Sequence, residues 1–231
     1  MGQLIKSEFQ KIKRKGFWFL SFLGAFGVVS LQALNYGVRK DWLLQQNPDY
    51  WEYFLLNVTS YIPIAIVLGT IILSTQISSI EEETNAWKMQ VALPISKKSL
   101  YAAKFFVVLF FLIVACVLLA LFTLFLGLFL NFNQPIPVLA IIKQSFLPFL
   151  AVLPIASFQL WIAVIAKTQA TPITIGVLNF LLTYSSQSLP DWTPWSWTSL
   201  PNPLINSLLG IGIGLIIFFI GQQDFYRKDV K

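Results

Sequence analysis

Histidine is absent from all 231 residues, cysteine occurs once, and Asp, Glu, Lys and Arg together make up 11% of the chain, against about 25% in soluble domains. Each shortage removes a class of function. Without His there is no imidazole general base, no Ser-His pair and no ordinary zinc site. Cys116 cannot close an intramolecular disulfide and, inside an apolar run, packs as a small hydrophobic residue. No G-x-x-x-x-G-K-[ST] loop cradles the phosphates of a nucleotide. The aspartates, Asp41, Asp49, Asp191, Asp224 and Asp229, fall in stretches read as loop or tail, which excludes an intramembrane aspartyl protease. Glu81-Glu82 is followed by Thr84, Asn85 and Trp87 rather than by Arg or His, so the paired-Glu metalloprotease is excluded too and the pair reads as solvated charge.

What the chain has in abundance is apolar length: 56% of its residues are hydrophobic and 21 are Phe. About 20 apolar residues cross a hydrocarbon core of roughly 30 Å with every backbone polar group bonded internally. The runs predict an all-α polytopic membrane protein of one domain with six transmembrane helices, at about 17–36, 54–78, 105–130, 146–166, 172–189 and 204–221. Pro148 and Pro154 predict that the fourth is bent. The fifth opens at Pro172 and ends on polar Tyr184, Ser185, Ser186 and Gln187.

Counting cations by loop supports that division. Thirteen Lys and Arg fall on one side, in the N-terminal arm, the loop after the second span, the loop after the fourth and the tail; three, Arg39, Lys40 and Lys143, fall on the other. Short cytosolic loops carry the positive excess, so both termini are expected in the cytosol of a protein of the plasma membrane. A cleaved signal peptide is the rival reading of the start, but the first apolar run is too long for an h-region and no A-x-A-like site follows it. The net charge of +6 is read as orientation and contact with anionic lipid, not as a nucleic-acid surface.

Within the arm, Leu4, Ile5, Phe9 and Ile12 recur at helical spacing while Lys6, Lys13 and Arg14 take other faces. That predicts an amphipathic helix in the plane of the interface, with a loose basic tail as the alternative. The longest basic-side loop, 81–104, begins with Glu81, Glu82 and Glu83. A short helix over 84–91 would carry Trp87 and Lys88, Pro94 would stop it, and Ser96 could cap the next helix. Trp87 then either docks on another protein or anchors at headgroup level.

The arm LIKSEFQKIKRKGFWFL and the segment NAWKMQVALPISKKSLYAAKF, followed by further spans, resemble a permease of the ABC exporter superfamily with the type-two fold, most similar to small permeases of lantibiotic and bacitracin self-protection exporters. The resemblance implies that the arm around Phe9 is a connecting helix beside an ATPase. It further implies that the loop of Glu81, Glu82, Glu83, Trp87, Lys88, Pro94 and Ser96 is a coupling helix seated in a groove of that ATPase. Segment 190–203, PDWTPWSWTSLPNP, matches an extracellular insertion of short re-entrant helices; an aromatic belt equally explains Trp192, Trp195 and Trp197. No cofactor is expected on this chain, ATP and Mg being expected on a separate nucleotide-binding subunit. A second permease, identical or related, is expected to complete the path, and Gly210 and Gly214 form a small-xxx-small pair that could pack against it. The implied cargo is an antimicrobial peptide or similar amphipath.

Two other classes compete. An ion-coupled carrier needs ionisable groups near the bilayer midplane, and the spans as drawn contain none. Their uncharged polar residues, among them Gln32, Asn57, Gln159 and Asn179, either line a path or bond neighbouring helices. A non-transport interaction or immunity protein is the other alternative, and it predicts no dependence on an ATPase.

Overall fold

The computed structural model describes residues 2–83, 96–166 and 168–227, and among these every regular element is helical. In order they are α1 (Gly2–Lys11), α2 (Phe17–Leu44), α3 (Tyr50–Thr59), α4 (Ile62–Glu83), α5 (Lys97–Leu130), α6 (Val138–Ala151), α7 (Leu153–Ile165), α8 (Ala170–Tyr184), α9 (Pro194–Trp197) and α10 (Pro203–Arg227). A 3₁₀ turn, Ser186–Ser188, follows α8.

Helices α2, α5 and α10, and the stretch Tyr50–Ile80 through α3 and α4, are each long and apolar enough to cross a membrane. Helices α6 and α7 meet at 44° and together make a fifth, broken span. The sixth expected span is α8, whose 15 residues cover about 22 Å, short of a hydrocarbon core of about 30 Å.

Several boundaries differ from the sequence reading, each for a local reason. Helix α2 continues past residue 36 to Leu44 through a non-helical Arg39 (φ −127°, ψ 24°), so Arg39, Lys40 and Asp41 extend a helix rather than a loop. The Lys40 ammonium donates to the Leu130 carbonyl at 3.1 Å, where a cation meets the negative end of α5. The second span starts earlier, at Tyr50, because Asp49 caps α3 by accepting the Glu52 N–H at 3.0 Å. It then breaks at Ser60-Tyr61, since Pro63 lacks an N–H and disfavours helix at the residue before it. Helix α6 begins at Val138 rather than 146, which places Lys143 on a helix. Asp224 likewise lies in α10 and not in a tail.

Contacts between elements sort the bundle into two ends. Helix α1, the start of α5 and the end of α10 meet at one, through Glu8 with Lys104 and Gln222 with the Lys98 carbonyl at 3.1 Å. The end of α7 joins them, because the Trp161 indole donates to Asp224 at 2.9 Å. We call this the basic end. The opposite end holds the close of α2, the start of α3 and the turn from α5 to α6. Its core is aromatic, with Trp51 and Phe132 centroids 5.3 Å apart and Tyr36 edge-on to Phe54 at 5.5 Å.

Gly210 and Gly214 turn inward, against the α6–α7 bend of their own chain, so the face expected to meet a second protomer is already filled from within. Pro154 leaves the Leu150 carbonyl without its helical N–H donor. A methyl at Gly210 would fall on that oxygen and 2.7 Å from the Ala151 Cα; one at Gly214 would lie 2.7 Å from the Leu153 Cβ. The Ser157 hydroxyl fastens the same crossing by donating to the Gly214 carbonyl at 2.9 Å. Gly210→Ala is therefore expected to destabilise the protein by about 1–3 kcal/mol through overpacking. Gly212→Ala, which meets nothing within 4 Å, should leave the melting temperature in detergent unchanged or raised. Equal melting of the two variants would show that the bend does not need the close approach.

Candidate functional site

The basic end is where the sequence placed its docking residues. Helix α1 lies on α5 with Leu4, Ile5 and Phe9 half-buried and Ile12 buried, while Lys6 and Ser7 face outward. Phe9 stands edge-on to Phe110 with centroids 5.0 Å apart and touches Phe111 at 6.0 Å; Phe17 adds a contact to Phe111 at 5.3 Å. The amphipathic helix read from the arm is thus present, and its apolar face packs on protein. The chain reverses into α2 through Arg14 and Gly16, at φ 71° and 80°, Gly16 being suited to that left-handed region at no steric cost.

Glu8 lies in the middle of the apolar stripe and is 2% exposed. Its carboxylate accepts from the Lys104 ammonium at 3.0 Å and from Lys11. Lys104 is 0% exposed, so it is no loop cation, as the loop count had it, but a buried residue of α5. Burial by itself would push the Glu8 carboxyl up; the attraction of Lys104, with Lys11 beside it, outweighs that and holds it below its ordinary value. The pair was legible in part: an acid flanked by Leu4, Ile5, Phe9 and Ile12 at helical spacing demands a cationic partner. Which of the lysines supplies it is a long-range fact.

The expected acidic loop at Glu81, Glu82 and Glu83 is instead the last turn of α4. Trp87, Lys88 and Pro94 lie outside the described residues. Ser96 does stand at the N-cap of α5, but its side chain makes no capping bond; its carbonyl accepts the Ser99 and Leu100 N–H groups at 3.0 and 3.1 Å. The helix it opens is 34 residues long, about 51 Å, and so exceeds a hydrocarbon core by about 20 Å. The Lys98 ammonium sits 5.0 Å over the Tyr226 ring, tying this projection to α10.

At the opposite end the segment 190–203 folds back onto the bundle. Trp192 is 76% exposed, as an interfacial residue would be. Trp197 is buried and donates to the Asp191 carbonyl at 2.7 Å. Trp195 is half-buried and donates to Asn179 at 3.1 Å, and Asn179 in turn donates to Gln159. An indole N–H away from water needs an acceptor, so two of the three Trp residues serve internal packing, not an outward belt. Gln159 also donates to the Pro172 carbonyl at 2.8 Å, and Gln32 to the Asn57 carbonyl at 2.8 Å. These polar residues bond neighbouring helices.

A multi-pass helical membrane protein, with its N-terminal helix and the longest helix among the described residues held together at one end, is the class that this geometry defines. Residues 4–185 match the family model described as ABC-2 family transporter protein, and the chain belongs to that family. It is accordingly an ABC transporter permease subunit, the membrane part of a machine whose family works with an ATPase. Comparison with curated proteins and with solved structures finds no match. The matched region begins within α1 and closes just after α8, so it contains both Glu8 and Lys104.

Removing one member of this pair is expected to cost about 3–5 kcal/mol, whereas replacing both by apolar residues costs far less. Thermal unfolding in detergent should place Glu8→Gln well below wild type and the double variant Glu8→Leu/Lys104→Met close to it; additive losses would show that the two do not act as a pair. Because the folded Glu8 carboxyl titrates below its unfolded value, its contribution is fully present above the ordinary carboxylate range and is lost as pH falls through the depressed value. Protection of α1 from proteolysis should therefore hold at neutral and mildly acid pH and fail only in stronger acid.

Proposed function

We propose that the chain is half of the translocation unit of an ATP-driven exporter that moves an antimicrobial peptide of lantibiotic type, or a comparable amphipath, out of the membrane as self-immunity or resistance. The ATPase is a separate subunit carrying ATP and Mg, and a second permease, a copy or a relative, completes the path. The observation that carries this reading is the family membership together with the meeting of α1, α4 and α5 toward one end. Helix α1 offers a nearby surface for a soluble partner, α5 projects beyond membrane thickness, and α4 ends on three glutamates. A groove on an ATPase with basic residues would complement that acidic terminus.

The proposed topology puts the basic end in the cytosol. Thirteen of sixteen cations belong to segments assigned to that side, and the positive-inside tendency then orients the bundle. Helix α1 and the end of α10 share the basic end, which requires an even number of crossings. We assign the sixth to α8, lengthened by its 3₁₀ turn. Phe-rich helix faces with exposed Trp18, Phe19, Phe125 and Phe129 suit lipid and an amphipathic cargo.

Affinity purification of the tagged chain from its native membrane is expected to bring down a Walker-motif ATPase. Trp87→Ala, or Lys at 81, 82 and 83 together, should reduce the captured ATPase several-fold without changing the yield of the chain. Retention of the ATPase by a variant lacking residues 81–99 would remove the docking assignment, and absence of any ATPase from wild type would favour the non-transport reading. Reporter fusions after Lys97 and Lys231 should both report the cytosol; opposite signals would sink the six-crossing topology.

A further inference from the structure

At the end opposite the basic arm, α3 and α6 diverge and leave a cleft of about 870 Å³, large enough for a molecule of several hundred daltons. Its cause is in the sequence. The break before Pro63 frees α3 from the line of α4, and the loop with Pro135 and Pro137 sets the opposing wall. Two glutamines hold the walls at a fixed distance. Gln134 accepts the Tyr50 N–H at 3.0 Å and donates to the Pro48 carbonyl at 2.9 Å, pinning the mouth. Gln144 donates to the Leu55 carbonyl at 2.7 Å, pinning the inner end. The cleft between these staples is a preformed space.

Its chemistry is divided along its length. Asp49 and Glu52 line it at the start of α3, and Leu55 and Leu56 line it about a turn further along, with Ala140 on the facing α6. No Lys or Arg lines it, in a chain that carries a net charge of +6. Asp49 spends one carboxylate oxygen on the Glu52 N–H, and Glu52 stays exposed to solvent. Leu56, 63% exposed, continues the apolar wall outward along α3. An occupant that satisfies both parts carries a positive charge at one end and a hydrocarbon or aromatic body behind it. An anion would meet like charge, and a fully polar cation would leave the apolar wall wet.

We infer that this cleft is a binding site for cationic amphipaths, with the ammonium or guanidinium group between Asp49 and Glu52 and the apolar part against Leu55, Leu56 and Ala140. Under the exporter reading, on which its biological meaning rests, the site faces the outside and receives or releases cargo there; the binding itself does not require an ATPase.

The test uses the purified full-length chain alone in phosphatidylcholine nanodiscs, with a hexadecyl-dimethylammonium nitroxide as the probe and a sulfate of the same tail length as its anionic counterpart, read by the immobilised fraction in electron spin resonance. Wild type is expected to hold the cationic probe about tenfold more tightly than the anionic one. Asp49→Asn/Glu52→Gln should erase that preference while preserving helicity and melting temperature, since Asn caps a helix as well as Asp does. Ala140→Trp, which fills the cleft, should release the cationic probe. The inference is overturned if the charge-neutral double variant keeps the tenfold preference, if wild type shows none, or if Ala140→Trp still immobilises the cationic probe. Capture of the ATPase is scored separately: an ATPase without probe binding leaves the permease role standing and removes this site, and probe binding without an ATPase does the reverse.

Discussion

Backbone hydrogen bonding in hydrocarbon is the constraint from which the rest of this architecture follows. A peptide group that loses its helical partner there finds no water to replace it, so every break in a span has to be repaired by a neighbour. The break before Pro63 turns the Tyr61 N–H to the Val58 carbonyl at 3.2 Å; the Asn57 carbonyl beside it accepts the buried Gln32 amide of α2. At the α6–α7 bend, Pro154 removes a donor from Leu150, and the bare backbone of Gly210 closes over that carbonyl. Glutamine side chains reaching across to carbonyls, from positions 32, 144 and 159, recur because a long amide is the least costly way to bond a foreign carbonyl without introducing charge.

The same economy governs the one ion pair described above that is buried on both sides. A carboxylate and an ammonium removed from water are stable only face to face, and Glu8 and Lys104 meet that condition with Lys11 in support. Their position, between the N-terminal helix and the first turns of α5, makes the pair a weld between two residues that are 96 positions apart in sequence. Loss of either charge would leave its partner in an apolar setting that was built for two, which is why the weld resists replacement of one member more than replacement of both.

Apolar length and Pro positions made the helical class, five of the spans and the bent fourth span legible, because both act through neighbouring residues. The Asp49–Glu52 spacing reads as an N-cap in retrospect and would have moved the start of the second span from Phe54 to Tyr50. Charge counting treats Lys104 and Lys143 as loop residues, although both are helical. Gly210 and Gly214 were recognisable as a close-packing pair; what they pack against depends on a kink about 60 residues earlier in the chain. Trp195 and Trp197 look interfacial until their acceptors, Asn179 and the Asp191 carbonyl, are known. In each case the residue type was informative and the partner was not, since partners are chosen by the fold and not by spacing.

Helix α5 connects the two regions that carry chemistry. Its first turns hold α1 through Lys104, and its C-terminus receives Lys40 before the chain passes to Gln134, which pins the mouth of the cleft. The helix has no interior proline and no non-helical residue along 34 positions, whereas the path through α3 and α4 is jointed at Ser60-Tyr61 and the path through α6 and α7 at Val152. Both joints lie where Gln32 and Gly210 keep the broken backbone bonded or covered.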